Sequence, residues 1–187
     1  MRIAITGHSQ GLGKAIADHF QNFGHTVIGY SRTNGFDISQ EDTRNKIIEE
    51  LKSCDVFINN AYAPFAQKDL LVRAIDLWKN DNKTIININS KSTLIAVCPD
   101  YMKEYAADKQ QQQKIIRDRI FKARPYIMNF TPGLIDTAMS ENFKSKKLNT
   151  KKLAEFIYVL LEFKDSIAIQ DVLVEVPDLD WNDIERL

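Results

Sequence analysis

Apolar and polar positions along this chain follow two alternating patterns. Compact apolar runs, several rich in β-branched residues, predict strands over residues 2–6, 26–30, 55–59, 84–89, 125–130 and 169–176, with a short one near 36–38. Between them the apolar positions mix with polar ones on helical faces, as at Lys46, Ile47, Ile48, Leu51 and Lys52. This predicts helices near 11–23, 40–53, 65–80, 101–121 and 150–163. Asn149-Thr150 suits a helix start, because such side chains satisfy free backbone N–H groups. Strands alternate with helices, so the expected class is α/β: a doubly wound parallel sheet of about seven strands with helices on both faces. No internal repeat interrupts this order. The run Gln110 to Gln113 falls inside the predicted fourth helix and reads as a solvated face, or else as an oligomer contact.

Composition narrows the class without changing it. The chain has 187 residues, which suits one domain over 1–187 with a real core. Hydrophobic content is 44% and charged content 27%, ordinary for a globular chain. Basic and acidic residues balance at 25 each, so charge makes no case for nucleic acid or an anionic membrane as partner. No apolar run approaches the ~20 residues of a membrane helix. The N-terminus enters a strand directly, so no signal peptide is expected and the expected location is cytoplasmic. Cys54 and Cys98 lie in neither metal nor redox spacing and read as structural. The three histidines are scattered, so no metal site is expected.

Candidate chemistry begins at residue 6. The strand Met1-Arg2-Ile3-Ala4-Ile5 feeds Thr6-Gly7-His8-Ser9-Gln10-Gly11-Leu12-Gly13, and a helix follows at once. A glycine-rich turn between strand and helix builds an anion site. The glycines let the backbone approach a pyrophosphate, and free N–H groups and the helix dipole favour negative charge. The other reading is a glycine-rich turn with no ligand.

Four later segments accompany that turn. They are Asp55-Val56-Phe57-Ile58-Asn59-Asn60-Ala61, Thr84-Ile85-Ile86-Asn87-Ile88-Asn89-Ser90, Tyr105-Ala106-Ala107-Asp108-Lys109 and Asn129-Phe130-Thr131-Pro132-Gly133-Leu134-Ile135-Asp136-Thr137. In type and order, these five motifs resemble those of the short-chain dehydrogenase/reductase family. The likeness runs from residue 3 to residue 137 and fades after Met139. It implies a Rossmann-type fold and a nicotinamide cofactor. Tyr62 stands where the family has the Gly of Asn-Asn-Ala-Gly. The connections are short: six residues between Tyr30 and Asp37, 28 between Ala61 and Ser90, and twelve between Thr137 and the next helix. Against the family's usual lengths this implies a trimmed fold with an open site, one that excludes water poorly without a partner subunit or a bulky substrate.

The resemblance assigns Gly7, Ser9, Gln10, Gly11, Leu12 and Gly13 to the pyrophosphate cradle. Asp37 and Ile38 are assigned to the adenine, with a plain helix cap as the other reading of Asp37. Asn59 is implied to lock the central strands, and Ala61 to meet the adenosine ribose. Pro132 and Gly133 form the turn after the strand, and Ile135 and Thr137 are implied to hold the nicotinamide carboxamide. At the end of the second strand no carboxylate awaits a ribose diol. Ser31, Arg32 and Thr33 stand there instead, and Arg32 offers a fork for a 2′-phosphate that Ser9 also reaches. NADP(H) is therefore expected over NAD(H).

Tyr105 and Lys109, four apart on a helix, share a face. An ammonium beside a phenol lowers its pKa and suits it to acid–base work, and Lys109 also suits the nicotinamide ribose. Ser90 is expected to orient a substrate carbonyl from the neighbouring strand end. Strand pattern selects Ser90, whereas the family's usual spacing to the tyrosine selects Ser92. The family's relay Asn has no expected position here, and Gln67 and Asn60 are the available replacements. Asp108, where the family has Ser, reads as pointing to solvent.

The expected activity is hydride transfer between a nicotinamide and a carbonyl/alcohol substrate. The alternative is a catalytically weak NADP(H)-binding sensor or scaffold, and a third reading is an epimerase or dehydratase. Tyr62, Lys91, Thr93, Leu94 and the segment after Thr137 would line the substrate pocket, and none names a substrate. The acidic C-terminus, Pro177 to Leu187 with its apolar anchors, suits docking on a neighbouring subunit of a homo-oligomer.

Overall fold

A computed structural model describes residues 1–94, 99–119 and 122–177. Its strands are β1 (Arg2–Thr6), β2 (Thr26–Tyr30), β3 (Val56–Asn59), β4 (Thr84–Ile88), β5 (Tyr126–Pro132) and β6 (Asp171–Val174). Five α-helices alternate with them: α1 (Gly11–Asn22), α2 (Glu41–Leu51), α3 (Ala66–Leu77), α4 (Lys103–Arg119) and α5 (Thr150–Glu162). All strand pairs are parallel, in the order β2-β1-β3-β4-β5-β6. Every strand therefore ends at the same edge. The chain turns from one side of β1 to the other between β2 and β3, and such a switch point is where open α/β sheets bind ligands.

Strand residues alternate between two cores, because successive side chains leave opposite faces. Ile3, Ile5, Val56, Ile58, Ile86 and Met128 pack toward α1 and α5. Ala4, Phe57, Ile85 and Ile127 face the other way, into the core that includes Leu70, Leu71 and Trp78. The central strands β3 and β4 are buried throughout, which is why they read as unbroken apolar runs. α1 and α5 pack side by side on the first face, with Leu12, Ile16 and Phe20 opposite Leu153, Ile157 and Leu161 in one cluster. Cys54 is a core residue of the second face. Cys98 and the tail from residue 178 lie outside the described residues.

The sheet has six strands, one fewer than the pattern predicted, and the missing one is that near 36–38. Arg32–Asn34 forms a 3-10 turn closed by Gly35 at φ +85°. The Asp37 carboxylate then accepts the Ser39 N–H at 2.9 Å, and the Asp37 carbonyl accepts the Gln40 N–H. These local bonds hold the backbone in turns, so β2 remains the sheet edge. The expected strand over 169–176 shortens to β6.

Candidate functional site

The glycine-rich turn leaves β1 at the switch point. Its Gly7 N–H is donated to the Tyr30 carbonyl at 2.7 Å, which ties the turn to β2. Gly7 and Gly11 hold φ of +73° and +56°, the left-handed region that glycine tolerates. A Cβ on Gly13 would stand 2.1 Å from the Gly7 carbonyl oxygen, so α1 can approach the turn only through glycine. The Gln10 side chain at the N-terminus of α1 makes no capping bond. The first N–H groups of the helix are left to a ligand or water, as a pyrophosphate cradle requires. The Thr6 hydroxyl accepts the N–H groups of Asn60 and Ala61, both at 3.0 Å, which fixes the end of β3 beside the turn. On the far side, the Thr137 methyl lies 3.2 Å from where a Cβ on Gly11 would be. The segment after β5 thus reaches the turn after β1. The backbone of that segment folds back through hydrogen bonds with Leu148, and Ile135 gives its carbonyl to the Ser140 hydroxyl.

At the end of β2 the expected donors divide. Ser31 is buried, and its hydroxyl is engaged with Thr33 at 2.7 Å and Asn34 at 3.2 Å. Arg32 and Thr33 are exposed. The outward-facing groups for a phosphate here are therefore Arg32 and Thr33, not Ser31. Asp37 caps its own turn, and the Ser39 N–H holds its carboxyl below the usual carboxylate range. Ile38 is a core residue.

Ser90, Tyr105 and Lys109 come together at the same edge, beyond β3. Asn89 ties two of them. Its side-chain Oδ1 accepts the Ser90 N–H at 2.9 Å, and its Nδ2 donates to the Lys109 carbonyl at 3.4 Å. The Ser90 hydroxyl accepts the Ser92 N–H at 3.2 Å and lies near enough to the Tyr105 phenol to favour its ionised form. Ser92 is buried and its hydroxyl has no partner among the described residues. The Tyr62 ring meets the Tyr105 ring edge-on at 4.7 Å, and the Lys109 ammonium lies 5.5 Å from the centre of each.

Lys109 is 2% exposed. Its Nζ donates to the Gln67 Oε1 at 2.7 Å and to the Ile88 carbonyl at 2.8 Å. Both acceptors are neutral, so burial dominates and pulls the amine down to about 7, with the Asp108 charge opposing. The expected lowering of the Tyr105 pKa does not follow from this arrangement. Burial raises the phenol, and the Ser90 hydroxyl only partly offsets that. A buried lysine near its own midpoint is charged only part of the time.

Two further residues depart from expectation. The Asp108 carboxylate accepts the Phe65 N–H at 2.9 Å and stands 3.5 Å from the Lys68 ammonium, so it staples α4 to the start of α3 rather than facing water. Gln112, placed by the polar run on a solvated face, is wholly buried. It bonds Gln67 at 3.4 Å and Asn87 at 3.2 Å.

Of this amide network the sequence marked only Asn59 and Gln67; for Asn87, Asn89, Gln112 and Asn129 the one signal is the concentration of amides on otherwise apolar elements. Asn59 donates to the Gln67 carbonyl at 2.9 Å and to the Asn87 side chain at 3.0 Å. Asn87 and Asn89 both reach Asn129, which donates on to Asp171 at 3.1 Å. Beside Ser90, Lys91 pairs with Glu175, whose carboxylate fills the space a Cβ on Gly133 would take. Among the described residues no helix is long and apolar enough to cross a membrane.

No family model matches the sequence, and no curated protein does. Solved structures do match. A 3-alpha-hydroxysteroid dehydrogenase from a Pseudomonas species, complexed with NADH, superposes with a TM-score of 0.77 at 17% identity over 94% of this chain and 95% of that one. A short-chain dehydrogenase from Burkholderia cenocepacia, in complex with NADP, gives 0.75 at 18% identity over 94% and 88%. One from Sphingobium yanoikuyae, in complex with NADPH, gives 0.75 at 14% identity over 99% and 92%. The parallel six-stranded sheet, the glycine cradle at its switch point and these superpositions agree: the chain has the Rossmann-type fold of the short-chain dehydrogenases/reductases.

Proposed function

We propose that this chain is an NADP(H)-dependent oxidoreductase acting on a carbonyl/alcohol pair. The observation that carries the reading is the meeting of Ser90, Tyr105 and Lys109 at the sheet edge that also bears the glycine cradle. Solved structures of the same fold hold NADH, NADP or NADPH. Gly7, Ser9, Gln10, Gly11, Leu12 and Gly13 would hold the pyrophosphate. Arg32 and Thr33 would take the 2′-phosphate, and no carboxylate stands ready there for a free ribose diol. Asp37, Ile38 and Ala61 would flank the adenosine, with Asn59 locking the central strands behind them, while Pro132, Gly133, Ile135 and Thr137 would frame the nicotinamide.

The bound nicotinamide supplies the hydride. The chain's own groups manage the oxygen of the substrate. Ser90 orients the carbonyl through its hydroxyl. Tyr105 is a neutral phenol, because burial holds its proton on, and it donates that proton to the oxygen as the alcohol forms. This suits the reducing direction, in which the residue must begin protonated. Lys109, titrating near neutrality, returns a proton toward the tyrosine. Gln67, one of the two replacements the sequence offers for the relay Asn, holds the Lys109 Nζ by a direct hydrogen bond.

A second reading is a catalytically weak NADP(H) sensor of the same fold. It is supported by the sealing of Lys109 beneath the Tyr62 and Tyr105 rings. Two measurements separate the readings. Titration with NADPH and NADH, followed by nicotinamide fluorescence, should show NADPH bound more tightly, with that preference lost in Arg32→Ala. A panel of aldehydes, ketones and quinones should then show turnover that Tyr105→Phe abolishes. Binding without turnover selects the sensor, and no binding of either nucleotide removes both readings.

A further inference from the structure

Phe65 is the one non-glycine residue with positive φ among the described residues, at φ +63° and ψ −40°. A bulky side chain is a genuine outlier in that region, and such strain persists only where the surroundings impose it. The surroundings are visible. The Phe65 N–H is held by the Asp108 carboxylate at 2.9 Å, and Asp108 is itself held by Lys68. Core packing does not explain the conformation, because the side chain it places is 56% exposed. The strained backbone therefore presents a phenyl ring to solvent.

The ring has a defined address. The Arg44 guanidinium lies 5.8 Å from its centre and the Lys68 ammonium 5.5 Å. Arg44 is no loose surface cation. It donates to the Ile38 carbonyl at 2.8 Å, to the Ser39 carbonyl at 2.9 Å and to Asp69 at 2.8 Å. Phe65 thus stands beside the turn after β2, at the ligand edge of the sheet, and two cations flank it. An exposed aromatic face attracts a flat π-system, and every nucleobase has one. The neighbouring cations complement a base whose ring nitrogens carry lone pairs.

We infer that Phe65 is a stacking platform for the adenine ring of the dinucleotide, held in place by Asp108 at the expense of backbone strain. This rests on the proposed nucleotide-binding reading and adds to it a residue that no motif marks. It also gives Asp108 a purpose, since the carboxylate beside Lys109 fixes the platform.

The test is calorimetric titration of NADPH and of 2′,5′-ADP, the adenosine half alone, on the full chain. Wild type, Phe65→Gly, Phe65→Trp and Arg32→Ala are compared, and each is also melted without ligand. Glycine relieves the positive φ, so Phe65→Gly should melt higher than wild type while binding both ligands about tenfold more weakly. Phe65→Trp should bind at least as tightly as wild type. Unchanged affinity of Phe65→Gly for both ligands, with Arg32→Ala impaired, overturns the platform and leaves the cofactor reading standing. Loss of NADPH affinity alone, with 2′,5′-ADP unaffected, also overturns it, because the ring would then serve the nicotinamide end or the substrate. Failure of wild type to bind either ligand overturns both the platform and the reading beneath it.

Discussion

Gln67 shows how much a single side chain contributes to this site. Its Nε2 donates to the carbonyls of Asn59 and Ile88, and its Oε1 accepts from Lys109. It therefore joins the ends of β3 and β4 to the lysine of α4. Gln67→Met removes the acceptor and leaves a buried ammonium short of a partner. The expected cost is about 1–3 kcal/mol of stability, read from urea unfolding. Gln67→Glu keeps the shape and adds a negative charge 2.7 Å from Nζ. Lys109 should then titrate well above its present value of about 7. NMR titration of 13C-labelled lysine follows this without a substrate, and an unmoved midpoint would mean that Gln67 does not control the charge of Lys109.

At the scale of elements, the two helix starts that matter are built in opposite ways. α5 is capped by the Asn149 side chain, which accepts the N–H groups of Lys151 at 3.0 Å and Lys152 at 3.1 Å. Asn149→Ala should cost about 1 kcal/mol in chemical denaturation and leave nucleotide binding alone. At α1 the N-cap Gln10 side chain makes no such bond, and the glycine turn leads directly into the helix. Gly13→Ala should do the reverse of a surface change. Its methyl would collide with the Gly7 carbonyl, so helix or turn must shift. A destabilisation of about 1–3 kcal/mol and loss of NADPH affinity are expected together. The element α4 shows the limit of pattern reading. Its buried face is Ala106, Lys109, Gln112 and Ile116, which keeps helical spacing but not apolar chemistry. Hydrophobic periodicity finds the helix and misplaces Gln112, because Lys109 and Gln112 are buried with hydrogen bonds to β4 and α3 rather than by apolar contact.

For the whole molecule, the buried Lys109 makes stability depend on pH. Its folded pKa, about 7, lies below the ~10.4 of an unfolded lysine. Between these values the unfolded chain binds a proton that the folded chain does not. This contribution to stability therefore rises with pH across that window, and it is absent below it, where both states are protonated. Tyr30 and Tyr105 act in the other direction at higher pH. Burial raises both phenols, so above about pH 10 the unfolded chain loses protons that the fold retains. Thermal melts of wild type from pH 6.5 to 9.5 should rise relative to those of Lys109→Met. Parallel curves would show that Lys109 does not titrate in that range.

The sequence alone determined the alternation of strands and helices and the glycine-rich turn between β1 and α1, because each is written in local periodicity or short spacing, while Ser90, Tyr105 and Lys109 were singled out only through the family resemblance. Tertiary structure decided what no local pattern encodes. It removed the strand near 36–38, since turns there satisfy their own backbone groups and leave no ladder to pair with β2. It set Ser90 beside Tyr105 and buried Ser92. It also reversed the expected electrostatics. Proximity of a lysine to a tyrosine suggests a charged pair, but the charge of a lysine depends on its access to water and on the acceptors around it. Those are set by residues brought from β4 and α3, far apart along the chain and adjacent only once it has folded.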